Sequence, residues 1–204
     1  MQLNIYMRQD VTEALGPGKR YALWVQGCKR NCRGCLSPGS RDFEKGEWID
    51  TLMLAKEIIQ TEMIEGLTIS GGEPFLQAKA LCELVRYIKS KKDYGIIIYT
   101  GNLYEELLGS RDIYIKELLS FTDILIDGEY IEELNDGKSL RGSSNQKVLF
   151  LTQRYEADKI MFGNEGRNIE LYIQNDHMRM VGIPSKGVLD KLGLIEKENG
   201  NEWN

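Results

Sequence analysis

Short apolar runs recur along the first three quarters of the chain, at Tyr21 to Gln26, Leu67 to Ser70, Gly95 to Thr100, Ile124 to Asp127 and Lys147 to Leu151. Each is followed or ended by Gly, Ser, Asp or Thr, and their near-continuous apolar character predicts buried parallel strands. Helical spacing fills the gaps between them. Asp50 to Ile64 opens on a capping aspartate, and Gln77 to Lys91 gathers Leu81, Leu84, Val85 and Ile88 on one face; Leu103 to Leu108 and Ile113 to Leu119 follow. Strand and helix taking turns predicts an α/β fold of right-handed βαβ units, with functional groups at the C-terminal ends of the strands.

The pattern changes near Gln153. Residues Asn168 to Gln174 and His177 to Ile183 flank an Asn175-Asp176 turn and predict an antiparallel hairpin. A short helix over Ser185 to Leu192 and a polar tail complete the chain, so residues 1–152 read as a core domain and 153–204 as a C-terminal appendage. The lone histidine, His177, has no second titratable partner nearby and reads as a surface or packing residue rather than a base.

The 204 residues are 42% hydrophobic and 28% charged, enough for one domain with its own core and a small appendage. A net charge of −5 argues against a large nucleic-acid footprint, and no apolar stretch is long enough for a membrane span. Lys29, Arg30 and Arg33 nevertheless put positive charge on one loop. They form either a solvated loop or a surface for an electron-rich group and an acidic redox partner.

That loop carries the candidate chemistry. Cys28, Cys32 and Cys35 follow the Tyr21 strand directly, in C-x-x-x-C-x-x-C spacing. Three thiolates so placed hold a four-iron cluster with one iron left open, where a small molecule can bind and react. Structural zinc would need a fourth ligand, and only Cys82 or distant His177 is on offer. A disulfide framework would leave one of the three thiols over, and no apolar signal segment opens the chain, so a reducing cytoplasm is the expected location.

A second motif, Ser70-Gly71-Gly72-Glu73-Pro74, lies where the Leu67 strand hands over to the Gln77 helix. The two glycines let a ligand approach the backbone, and Glu73 offers a carboxylate to an ammonium group. A tight turn with Pro74 and Glu73 at a helix start gives the same letters. Its position one βα unit after the cysteine triplet favours the ligand site, because neighbouring strand ends can converge on one molecule.

The triplet together with Ser-Gly-Gly-Glu-Pro resembles the radical S-adenosylmethionine superfamily. Within it, the chain is similar to the family of activating proteins of the anaerobic ribonucleoside-triphosphate reductase. That similarity runs through Gly16-Pro17-Gly18-Lys19-Arg20, Trp24 to Cys28, Tyr99-Thr100-Gly101, Ile126-Asp127-Gly128 and Arg141 to Gln146, and covers residues 1 to about 150. The resemblance implies a partial open (β/α) barrel of the radical S-adenosylmethionine type. It implies that Cys28, Cys32 and Cys35 bind a 4Fe-4S cluster whose open iron chelates the methionine end of S-adenosylmethionine. Gly34, Gly71, Gly72 and Glu73 would hold that end, with Thr100 and Gly101 near the ribose. The cofactor carries the difficult chemistry. The implied partners are a glycyl-radical enzyme of the anaerobic ribonucleotide reductase type and a flavodoxin or ferredoxin-type electron donor.

Continuation for some fifty residues past the Ser-Asn-Gln segment departs from the short members of that family. A small-molecule substrate, as in 7-carboxy-7-deazaguanine synthase, or a peptide is the alternative target, although Leu36 to Phe43 resembles the activating proteins more. A non-catalytic metal-binding or redox module is the alternative of a different class. Asp127 reads either as a contact to cofactor or partner or as a cap of the next turn; Arg141 and Asn145 read as a clamp or as loop pins. Trp24 reads as core and Cys82 as an inert buried thiol.

Overall fold

The computed structural model describes residues 1–163, 166–174, 177–185 and 187–188. Seven strands form one sheet: β1 (Gln2–Thr12), β2 (Arg20–Val25), β3 (Glu47–Asp50), β4 (Gly66–Gly71), β5 (Gly95–Tyr99), β6 (Ile124–Asp127) and β7 (Lys147–Phe150), in the order β3-β1-β2-β4-β5-β6-β7. The central strands β2, β4, β5 and β6 are parallel. β1 runs antiparallel to both β2 and β3, and β7 runs antiparallel to β6. The parallel reading of Lys147 to Leu151 is therefore corrected. An antiparallel neighbour needs no helical crossover, and residues 128–146 supply turns, one 3-10 turn at Glu132–Leu134 and an isolated bridge from Lys138 to Gly166.

Among the described residues four α-helices accompany the sheet: α1 (Thr51–Gln60), α2 (Ala78–Lys89), α3 (Tyr104–Leu108) and α4 (Ile113–Phe121). Asp50 caps α1 as its sequence position predicts, accepting from the backbone nitrogens of Leu52 and Met53 at 3.0 and 3.1 Å. Helix α1 stops at Gln60, earlier than the apolar spacing suggested, and Met63 beyond it takes a left-handed φ of 60°. The 3-10 turn Pro74–Gln77 precedes α2. A separate hairpin pairs β8 (Ile169–Gln174) with β9 (His177–Gly182), as the sequence indicated. The Asn175-Asp176 turn, the side chain of His177, most of the helix expected over 185–192 and the tail expected after it lie outside the described residues.

The sheet buries both faces. Leu23, Val25, Leu67, Ile69, Ile96 and Ile98 pack with Leu54 and Ile58 of α1 and with Leu81, Leu84, Val85 and Ile88 of α2. Full burial of each such side chain is worth roughly 1.5–3 kcal/mol over exposure, so this layer dominates the fold. On the opposite face Ile97, Ile124 and Ile126 meet Leu140, Tyr155 and Phe162, while Ala22 and Trp24 meet Val181 and Ile183 of the hairpin region. Trp24 is thus core, as read from the sequence. Among the described residues no helix is long and apolar enough to cross a membrane.

Arg20, fully buried, pins the parallel strands. Its guanidinium donates to Thr68 Oγ1, the carbonyls of Pro17, Leu67 and Gly95, and the Tyr155 hydroxyl. Those acceptors employ the fork of donors that makes burial of this cation tolerable.

Candidate functional site at the strand ends

The C-terminal ends of β2, β4 and β5 lie side by side and present three loops. After β2 the chain turns at Gly27, whose φ of 93° is left-handed. The Gly27 nitrogen donates to Ser40 O at 2.7 Å and that of Cys28 to Arg41 O at 3.1 Å. Gln26 Nε2 donates to Gly39 O and Asp42 O at 3.0 and 2.6 Å, so the root of the loop is closed. Cys28, Cys32 and Cys35 sit beyond that root as free, half-buried thiols. Gly34, with φ 67°, has the direction of a missing Cβ filled by Glu132, whose Cδ lies 2.7 Å from that point.

Burial pushes the Cys28 thiol above its ordinary range. Burial also raises Cys32, to about 11, reinforced by a hydrogen bond with the Glu129 carboxylate and by the charges of Cys35 and Cys28. Binding a metal group must therefore displace protons from these thiols. Among the described residues, no three His, Cys, Asp or Glu side chains gather around one point as a single ion requires. Three free thiols on one loop are a donor set that suits separate irons of one cluster.

Glu73, only 5% exposed, is the centre of the second and third loops. Its Oε1 accepts from Phe75 N at 3.1 Å and Thr100 Oγ1 at 2.8 Å, and its Oε2 accepts from Gly101 N at 3.0 Å. A carboxylate offers about four acceptor positions, so Oε2 keeps capacity for a further donor. Burial pushes the Glu73 carboxyl up, opposed by those hydrogen bonds and by the charge of Arg30. A cation arriving beside it would hold it ionised.

The glycines of the motif have a reason the sequence did not show. A Cβ on Gly71 would stand 2.6 Å from the backbone nitrogen of Val25, and one on Gly72 would stand 2.3 Å from Gly27 O. Gly72 N donates to Val25 O at 2.8 Å and Glu73 N to Gly27 O at 2.9 Å. These glycines let the end of β4 touch the root of the cysteine loop, backbone against backbone.

Sequence reasoning missed Asn102 and the reach of Arg30. Arg30 lies across Gly101, where a Cβ would stand 2.5 Å from Arg30 Cδ. Its Nη2 donates to Asn102 Oδ1 at 3.0 Å, and Asn102 Nδ2 donates to Thr100 Oγ1 at 3.1 Å. Nothing in the sequence signals a pair so far apart along the chain.

Asp127 acts as a cap: it accepts from Tyr104 N at 2.8 Å and Lys147 N at 3.3 Å. Arg141 pairs with Asp136 at 3.2 Å, and Asn145 Nδ2 donates to Glu129 O at 2.8 Å, so both pin the loop after β6. Cys82 is buried on α2, its thiol pushed up to about 12 by burial.

The iron–sulfur class suggested by the cysteine loop is matched by comparison with known proteins. Residues 14–149 match the family model described as "4Fe-4S single cluster domain". The anaerobic ribonucleoside-triphosphate reductase-activating protein of Enterobacteria phage T4 is 32% identical over 139 residues, covering 65% of this chain and 85% of its own length. Its namesake in Haemophilus influenzae is 33% identical over 152 residues, with 70% and 96% covered, and that of Escherichia coli K12 is 28% identical over 156 residues, with 72% and 97% covered. The chain belongs to this family of activating proteins and carries its 4Fe-4S single-cluster domain.

Proposed function

We propose that this protein is a radical S-adenosylmethionine enzyme that installs a glycyl radical on an anaerobic ribonucleotide reductase. The convergence of three strand-end loops carries the reading: the cysteine loop after β2, Gly71 to Glu73 after β4, and Thr100-Gly101 after β5, tied together at Glu73. The names of the related proteins support the target. Residues 1–152 form the radical-generating core, a partial open (β/α) barrel, and 153–204 the appendage.

Cys28, Cys32 and Cys35 would hold the 4Fe-4S cluster as thiolates. With the cluster and S-adenosylmethionine bound, the site would supply reductive cleavage to methionine and a 5'-deoxyadenosyl radical, with a flavodoxin or ferredoxin-type protein as electron source and a glycine of the reductase as hydrogen donor. Glu73 receives the ammonium of the methionine end at Oε2, where a charge-assisted bond in a dry site is strongest. Gly71 and Gly72 hold that carboxylate against the cysteine loop, and Gly34 gives the loop its turn beside Cys35. Thr100 and Gly101 orient Glu73 and floor the site on the ribose side.

The test is anaerobic reconstitution with iron and sulfide, reduction with dithionite and assay of 5'-deoxyadenosine from S-adenosylmethionine, with Cys32→Ala as control. Product from the wild type alone supports the reading. Absence of product from a fully loaded wild type overturns it.

A further inference from the structure

The side chains of Arg30, Asn102, Thr100 and Glu73 form one unbroken chain of hydrogen bonds across three loops. Its direction is fixed. A guanidinium has only donors, so Asn102 must turn its carbonyl oxygen to Arg30 and its amide nitrogen to Thr100. The Thr100 hydroxyl accepts there and spends its own hydrogen on Glu73 Oε1 at 2.8 Å. Asn102 is itself held, its backbone nitrogen donating to Thr100 Oγ1 at 3.1 Å and its carbonyl accepting from Gly128 N at 3.0 Å. Each link therefore constrains the next.

Arg30 stands midway between Cys28 and Cys32. Arg30 N lies 3.4 Å from Cys28 Sγ, and beyond the local turn at Arg33-Gly34 no backbone–backbone hydrogen bond among the described residues ties residues 29–36 to another segment. The tip of the loop is thus fastened through side chains. Arg33 is 84% exposed, and its pairs with Glu132 and Glu133 at 3.6 and 3.7 Å are of the weak surface kind. Arg30 Nη1 also reaches Glu129 Oε2, at 3.5 Å, across a half-exposed gap. By contrast the Asn102 link is reinforced by the Arg30 stem lying against Gly101, where an added Cβ would stand 2.5 Å from Arg30 Cδ and displace the stem.

From this geometry we infer that Arg30 and Asn102 are positioning residues, setting the separation between the cysteine-held cluster and the Glu73 carboxylate through the relay. The inference rests on the function proposed above. Both residues act through others: Arg30 fixes the loop and Asn102 passes the restraint to Thr100 and Glu73.

The test compares wild type, Arg30→Met, Asn102→Ala, their double variant and Arg30→Lys. In the metal-free protein, alkylation of Cys28, Cys32 and Cys35 by iodoacetamide is followed by mass spectrometry, with buried Cys82 as the internal gauge of global unfolding. Each single variant raises the loop-thiol rates about fivefold relative to Cys82. In protein loaded with iron and sulfide, S-adenosylmethionine is titrated against the electron paramagnetic resonance spectrum of the reduced cluster. Affinity per loaded cluster falls about tenfold in each single variant, and Arg30→Lys recovers part of it. The double variant is no weaker than either single one, because both break the same relay.

Unchanged loop-thiol rates in both variants, or loop rates rising only in step with Cys82, overturn the inference. So does unchanged affinity per loaded cluster. A loaded wild type that does not respond to S-adenosylmethionine contradicts the proposed function instead, while the metal-free alkylation still decides whether the relay restrains the loop.

Discussion

The two halves of the site are built in opposite ways. At the ends of β4 and β5, Glu73 is buried, its carboxylate accepts three hydrogen bonds, and Gly71 and Gly72 press against Val25 and Gly27. In the cysteine loop the thiols are half-buried and, among the described residues, no backbone–backbone hydrogen bond ties residues 29–36 to another segment. One half is preorganised by backbone and side chains together; the other has its root fixed by backbone bonds and its tip held through side chains. The division is economical chemically. In the proposed function, the carboxylate that receives a small cation needs fixed geometry, whereas a loop that must admit a cluster needs room to close around it.

Cluster loading sharpens this contrast most strongly. Amide hydrogen exchange over residues 29–36 slows by on the order of a hundredfold when iron and sulfide are bound, while exchange over β4 and β5 stays as it was. Equal protection of both regions would erase the distinction. A Gly72→Ala substitution attacks the rigid half directly, because its Cβ would stand 2.3 Å from Gly27 O. It should cost about 3 kcal/mol and lower the melting temperature by roughly 5–10 °C, as measured by calorimetry of the metal-free protein.

Glu73→Gln has a smaller effect on stability and a selective one on binding. The amide must turn its NH2 group toward donors already aimed at a carboxylate, and it loses the charge proposed to receive the ammonium. Affinity for S-adenosylmethionine falls about tenfold or more at unchanged cluster content, read by the same spectroscopic titration.

The smallest effect is expected away from the site, at the hairpin. Burial alone would raise the Glu170 carboxyl, but hydrogen bonds from Thr12, the Glu13 nitrogen and Tyr172 outweigh it and hold the group below its ordinary 4.5. A depressed carboxyl favours the folded state above the unfolded value and loses that contribution as pH falls through the folded one. Protection factors at β8 and β9, taken relative to intrinsic exchange at each pH, should therefore fall below about pH 4.5, and Glu170→Gln should flatten that dependence.

Legibility in the sequence followed the same physical lines. Strands β2, β4, β5 and β6 are buried on both faces, so their apolar runs stood out, as did the Asp50 cap. β1 escaped notice because Asn4, Tyr6, Arg8, Gln9 and Asp10 interrupt its apolar positions, and β3 because its four residues include Trp48, 64% exposed. The orientation of β7 was misread because an apolar run carries no record of strand direction. At the site, the cysteines and Glu73 were legible from spacing and motif. The backbone contact that requires Gly71 and Gly72, and the bond from Arg30 to Asn102, depend on loops brought together only by folding.

The central claim is tested most directly by mixing the loaded, reduced protein with S-adenosylmethionine and an anaerobic ribonucleoside-triphosphate reductase, without oxygen, and measuring 5'-deoxyadenosine beside the organic radical on the reductase. The account predicts one deoxyadenosine for each glycyl radical formed, and neither with Cys32→Ala. Deoxyadenosine without a radical on the reductase would contradict the assigned target, and the absence of both would contradict the chemistry itself.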